Sequence, residues 1–133
     1  MLTRANVTVA SRIMLPAYIA HAVFFGVLYV TDPGGRLLVA PGLAFARMMM
    51  SMGAWGLILL IVAALMASAL VTGRRALMIA ALYLYMAVNL MWAVIYFGAP
   101  FVNEYASWGG AGWPLLVATA CVASARSLMK REV

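Results

Sequence analysis

The chain alternates long apolar runs with short polar breaks, and the runs define the elements. The first run, residues 13–30, follows Arg4 and Arg12 and stops at Thr31-Asp32-Pro33-Gly34-Gly35, where proline and glycine cannot continue a helix. The second, 48–71, has a helical lead-in from Pro41, because proline suits a first turn and no breaker follows in 42–47, so the span is drawn as 42–72. Thr72-Gly73-Arg74-Arg75 closes it. The third run, 76–98, ends before Ala99-Pro100, which makes the second and third runs a helical hairpin. After Gly109-Gly110-Ala111-Gly112, Pro114 opens a last span, 113–129, whose modest hydrophobicity calls for support from neighbouring helices. At about 1.5 Å per residue and roughly 30 Å of hydrocarbon, each crossing needs about 20 residues. The expected fold is an all-α integral membrane protein, with residues 1–133 forming one domain of four transmembrane helices in two hairpins.

Composition removes the alternatives. The 133 residues are 68% hydrophobic and 9% charged, far from the balance of a soluble domain. This leaves no room for an extramembrane enzyme core, a disulfide scaffold or a disordered tail. The net charge of +6 is no nucleic-acid signal, because the basic residues stand singly or in pairs at the ends of apolar runs. They act as topology signals: Arg4, Arg12, Arg74, Arg75, Arg126, Lys130 and Arg131 put seven on one side, against Arg36 and Arg47 on the other. Both termini are therefore expected in the cytoplasm, with the chain in the cytoplasmic (inner) membrane and Asp32 and Glu104 outside. The basic start also fits a signal peptide, but cleavage after Ala40 would need a small residue at Leu38 and would leave Pro41 next, so a retained helix is expected. The sequon Asn6-Val7-Thr8 falls on the inner side and is disregarded. Cys121 stands alone and can form no intrachain disulfide.

The helical faces supply the candidate residues. Gly53, Gly56, Leu60, Ala63 and Ala67 fall within roughly 80° of one another, a smooth face on which another backbone can approach. Its partner is either the third run or a second protomer. On the third run Tyr85, Asn89, Trp92 and Tyr96 share a polar face opposite Ala76, Ala80, Ala87 and Gly98. Trp92 and Tyr96 fit an interfacial aromatic belt, whereas Asn89 needs a hydrogen-bond partner and is expected to point into protein or water. His21, about eight residues or roughly 12 Å into the first run, shares a face with Met14, Tyr18, Phe25 and Tyr29. An ionisable group at that depth marks either a functional site or a packing bond to Asn89, Tyr85 or a backbone carbonyl. Arg47 either snorkels to the outer interface or lines a site for an anion or lipid headgroup.

The chemistry of enzymes is missing. There is no His-Glu-x-x-His, no cysteine pair and no phosphate-cradling glycine loop, so no enzymatic activity, cofactor or metal is expected. A bis-histidine haem would need a second histidine from another chain. Met48, Met49, Met50 and Met52 offer thioethers to copper(I), but methionine spread through an apolar chain reads as adaptable packing. Small multidrug-resistance exporters also have four helices, but carry a coupling carboxylate within the first, where this chain has none.

In overall size, Met-Ala-rich spans, the Thr72–Arg75 turn, the Trp108-Gly109-Gly110-Ala111-Gly112-Trp113-Pro114 lead into the last span and the basic tail Arg126–Arg131, the chain resembles the small four-span membrane proteins of actinobacterial phages, many of them holins. The resemblance implies self-association in the cytoplasmic membrane into a pore or lesion, with the lipid bilayer and further copies of the chain as partners. Two other readings stand beside it. One is a non-catalytic accessory subunit of a larger membrane complex. The other is a small transporter or lipid-binding module using His21 and Arg47.

Overall fold

A computed structural model describes residues 13–31 and 41–129. Among these, every regular element is helical: α1 (Leu15–Thr31), a 3-10 turn (Pro41–Leu43), α2 (Ala44–Met49), α3 (Met52–Thr72), α4 (Arg75–Val102), a 3-10 turn (Trp108–Ala111) and α5 (Gly112–Met129). Met52–Thr72, Arg75–Val102 and Trp108–Met129 are long and apolar enough to cross a membrane, whereas α1 has 17 residues. At 1.5 Å per residue α1 reaches about 26 Å, just short of a full hydrocarbon thickness. Arg4, Arg12, the Asn6 sequon, Asp32–Gly35, Arg36, Leu38, Ala40, Lys130 and Arg131 lie outside the described residues.

Two helix boundaries differ from the sequence expectation. The second run is two helices, because Met50 is fully extended (φ −162°, ψ 169°) and the Ser51 hydroxyl accepts a hydrogen bond from the Ala54 N–H at 3.2 Å. Ser51 thereby caps a new helix by satisfying one of its free donors. The apolar residues on both sides of Ser51 hide this break from a periodicity argument. The third run continues past Gly98 through Pro100 to Val102. Proline there forgoes only its own bond to the Tyr96 carbonyl, and the following turn closes with Asn103 N–H on the Ala99 carbonyl at 2.9 Å. The hairpin between α3 and α4 forms as expected. Gly73 takes the left-handed conformation (φ 65°) and its N–H meets the Ala69 carbonyl at 3.0 Å, a helix stop that glycine makes without steric cost.

The helices alternate in direction. Residues 26 and 30 of α1 meet 60 and 56 of α3, Trp55 of α3 meets Trp92 of α4, and Tyr83 of α4 reaches Met129 of α5. Tyr18 of α1 in turn meets Ser124 of α5. The closest approach is between α1 and α3, where a Cβ placed on Gly56 would stand 2.6 Å from the Gly26 carbonyl oxygen. At Gly56 and Leu60 the small-residue face thus packs on α1. Trp55, Tyr85, Leu15, Met66 and Leu82 fill the core, while Phe24, Leu57, Ile61, Val94 and Leu116 face outward. An outer surface this apolar suits hydrocarbon.

The short helix α2 closes one end. Trp55 is fully buried and its indole N–H donates to the Ala46 carbonyl at 3.1 Å, pinning α2 across the start of α3. Gly98 makes room for the Phe45 ring, and Gly42 lies against Tyr96. Arg47, in the last turn of α2, is exposed.

Candidate functional site

The polar faces of the first and third runs meet. The Tyr18 and Tyr85 rings pack at a 48° tilt with centroids 5.6 Å apart, and His21 Nδ1 is hydrogen-bonded to the Tyr85 hydroxyl. Tyr18 also reaches α5: Ser124 donates its proton to the Ala120 carbonyl at 2.9 Å, so at 3.4 Å the Tyr18 hydroxyl is the donor to Ser124 Oγ. Asn89 does not bond to His21. Its amide nitrogen donates to the Tyr85 carbonyl at 2.9 Å, which leaves the amide oxygen directed elsewhere.

His21 is held from a third helix by a residue the sequence reading did not single out. The Trp113 indole N–H donates to His21 Nε2 at 3.2 Å. An indole can only donate, so Nε2 must be the acceptor and the proton of the neutral ring sits on Nδ1, donated to Tyr85. The imidazole therefore ties α1, α4 and α5 in one defined tautomer. The available signal for Trp113 was its place beside Pro114 at the start of a span, which reads equally well as an interfacial belt.

Beside this junction is a cavity of about 90 Å³. Its floor is Leu59, Tyr29, Asn89 and Trp92, each no more than 6% exposed, and its rim includes the exposed Gly110 and Trp113. His21, Phe25, Tyr96 and Pro114 complete the wall. The rings are continuous: His21–Phe25 at 4.8 Å, Phe25–Tyr29 at 5.9 Å, Tyr29–Trp92 at 5.5 Å and Trp92–Tyr96 at 6.1 Å. Among the described residues no charged side chain lines the cavity.

Its hydrogen-bonding capacity is largely unspent. Among the described residues the Tyr29 and Tyr96 hydroxyls, the Trp92 indole N–H and the Asn89 amide oxygen have no hydrogen-bond partner. All four residues line the cavity. Trp92 is the main departure from a belt residue: it is buried, with Trp55 packed 5.1 Å away on one side and Tyr29 on another.

Of the other candidates, Gly56 and Ala63 are buried within the chain, Ala67 is half-buried, and Gly53 has no heavy atom within 4 Å of where a Cβ would stand. Arg47 is not among the cavity residues. Among the described residues, no three His, Cys, Asp or Glu side chains are grouped to hold a metal ion. No protein-family model matches the chain, and comparison with curated proteins and with solved structures returned no match.

Proposed function

We propose that this chain is a small, non-catalytic membrane protein that binds a lipid-soluble small molecule in the cavity between α1, α4 and α5. The observation that carries the reading is the set of four polar groups on its wall that have no hydrogen-bond partner among the described residues. A guest that pairs with such groups gains a net of about 0.5–1.5 kcal/mol for each hydrogen bond. Packing alone gives no reason for four of them to line one hollow. The basic residues at the span ends support an orientation with both termini in the cytoplasm.

The test is to purify the protein from host membranes, release what it holds and weigh it by mass spectrometry. The expected result is one small amphiphile, near one per chain, retained by the wild type and lost from Asn89→Leu. Extracts that are identical for the two proteins, with nothing beyond bulk phospholipid, would overturn the reading and leave a polar packing site filled by water.

A second reading, self-association as a holin-like pore or as part of a larger complex, draws on the uncovered face of α3. Gly53 is unobstructed there, and Leu57 and Ile61 on the same side are exposed. Because Gly56 and Ala63 are used inside the chain, a second copy would have to pack on Gly53, Leu57 and Ile61. Cysteines placed at Leu57 and Ile61 are expected to crosslink between copies in the membrane under this reading; no crosslink at either position would exclude that interface.

A further inference from the structure

We infer that a second site, an open groove between the start of α4 and the end of α5, seats one anionic phospholipid from the surrounding leaflet. The groove is lined by Arg75, Ala76, Ile79 and Met129, shares no residue with the cavity between α1, α4 and α5, and does not depend on it. Its volume of about 370 Å³ falls within the roughly 300–1,000 Å³ of ligand pockets.

The groups along the groove stand in the order of those of a phospholipid. Arg75 is exposed at the first position of α4, and its planar fork of donors matches two phosphate oxygens. One turn further in, the half-buried Ile79 and the exposed Met129 give apolar walls. Tyr83, a further turn along α4, bridges the two helices, with its hydroxyl donating to the Met129 sulfur at 4.0 Å. A thioether is a weak acceptor, so a lipid ester carbonyl is the better partner for that proton. Eight residues from Arg75 to Tyr83 rise about 12 Å, and helical side chains lean toward the helix N-terminus, which brings the hydroxyl back toward the level of ester groups. Leu90 and Val94, exposed on the same face of α4 as Tyr83, continue the track for an acyl chain.

Charge selects the headgroup. Among the described residues this end of the bundle carries Arg74, Arg75 and Arg126 and no carboxylate, whereas the opposite end carries Arg47 and Glu104. A zwitterionic head would bring its own cation among three arginines. A head whose only charge is its phosphate brings none. A second copy of the chain in the same orientation would present the same arginine-rich end, so like charges oppose that occupant.

Native mass spectrometry on protein released from nanodiscs of phosphatidylglycerol and phosphatidylcholine in equal parts counts what stays bound. The expected result is one phosphatidylglycerol per chain, retained in preference to phosphatidylcholine. That preference should fall about fivefold in Arg75→Gln and persist in Arg75→Lys, which keeps the charge. Arg74→Gln removes the same charge from the same end but outside the groove, and should leave most of the preference. Equal retention of the two lipids, or an equal fall in Arg74→Gln and Arg75→Gln, would overturn the site and leave a diffuse attraction to the negative surface. A dimer that depends on Arg75 and carries no phosphatidylglycerol would overturn it too, by putting a second copy in the groove. None of these outcomes bears on the cavity, which Asn89→Leu tests.

Discussion

The Trp113 indole N–H meets His21 Nε2 at 3.2 Å, joining the start of α5 to the middle of α1 across 92 positions of sequence. Protonation turns that nitrogen from acceptor to donor, and two donors cannot share the bond. The Tyr85 bond survives, because Nδ1 carries a proton in both states. The contribution of the Trp113 bond is therefore present while the ring is neutral and is lost as pH falls. Acidification is expected to shift the tryptophan emission of the wild type to longer wavelength as Trp113 is released, and to leave Trp113→Phe and His21→Ala unshifted. An equal shift in all three proteins would mean that the bond is not the responding element.

The contact of Gly56 with α1 sets a second expectation. A methyl group there meets backbone, the Gly26 carbonyl oxygen at 2.6 Å and the Val30 nitrogen at 2.8 Å, whereas at Gly26 it meets mainly the Leu60 side chain. Backbone cannot turn aside as a side chain can. Gly56→Ala should cost about 1–3 kcal/mol, Gly26→Ala less, and Gly53→Ala, which meets nothing, should be neutral or slightly stabilising. Unfolding midpoints in mixed micelles would give the order, and a Gly53→Ala variant as unstable as Gly56→Ala would contradict it.

Trp55 carries the third. Its N–H to the Ala46 carbonyl ties α2 to the bundle, and Trp55→Phe removes that bond at a cost of about 0.5–1.5 kcal/mol, with a further loss for the smaller ring. Amide exchange should quicken over residues 44–49 and stay slow in the middle of α3. Uniform acceleration through both helices would show instead that Trp55 supports the whole bundle.

The sequence exposed the apolar helices and much of the candidate site, but not how the faces would pair. Helical spacing placed Tyr85, Asn89 and Trp92 on one face and Tyr18 and His21 on another, because three- and four-residue steps align side chains whatever the tertiary fold. That α1 packs on Gly56 through Gly26 was not legible. The two glycines lie in different runs, and a small-residue face fits any neighbour equally well. Ser51 was overlooked because a capping hydroxyl between methionines leaves the hydrophobic pattern unbroken. Pro100 looked like a stop, yet one missing donor near a helix end is a small loss. Trp113 joined the site through a contact between distant helices that no local pattern encodes.

Asn89 gives a prediction that separates binding from folding. Its nitrogen bonds to the Tyr85 carbonyl of its own helix and its oxygen is unspent, so Asn89→Leu removes an acceptor from the cavity without breaking any bond between helices. Stability should change little, or rise, since a buried amide is replaced by a hydrocarbon, while any bound amphiphile is lost. A large drop in the unfolding midpoint would show that Asn89 holds the bundle together.

The most direct test of the central claim is the indole N–H resonance of Trp92, identified by its absence from Trp92→Phe. It would be recorded by NMR on protein as purified from membranes and again after exhaustive washing in detergent. If the cavity holds a guest, the Trp92 signal moves on washing and returns when the extracted material is added back, while the Trp55 signal, bonded to Ala46, stays fixed. A Trp92 signal that is the same before washing, after washing and after add-back would contradict the claim that these groups bind a ligand.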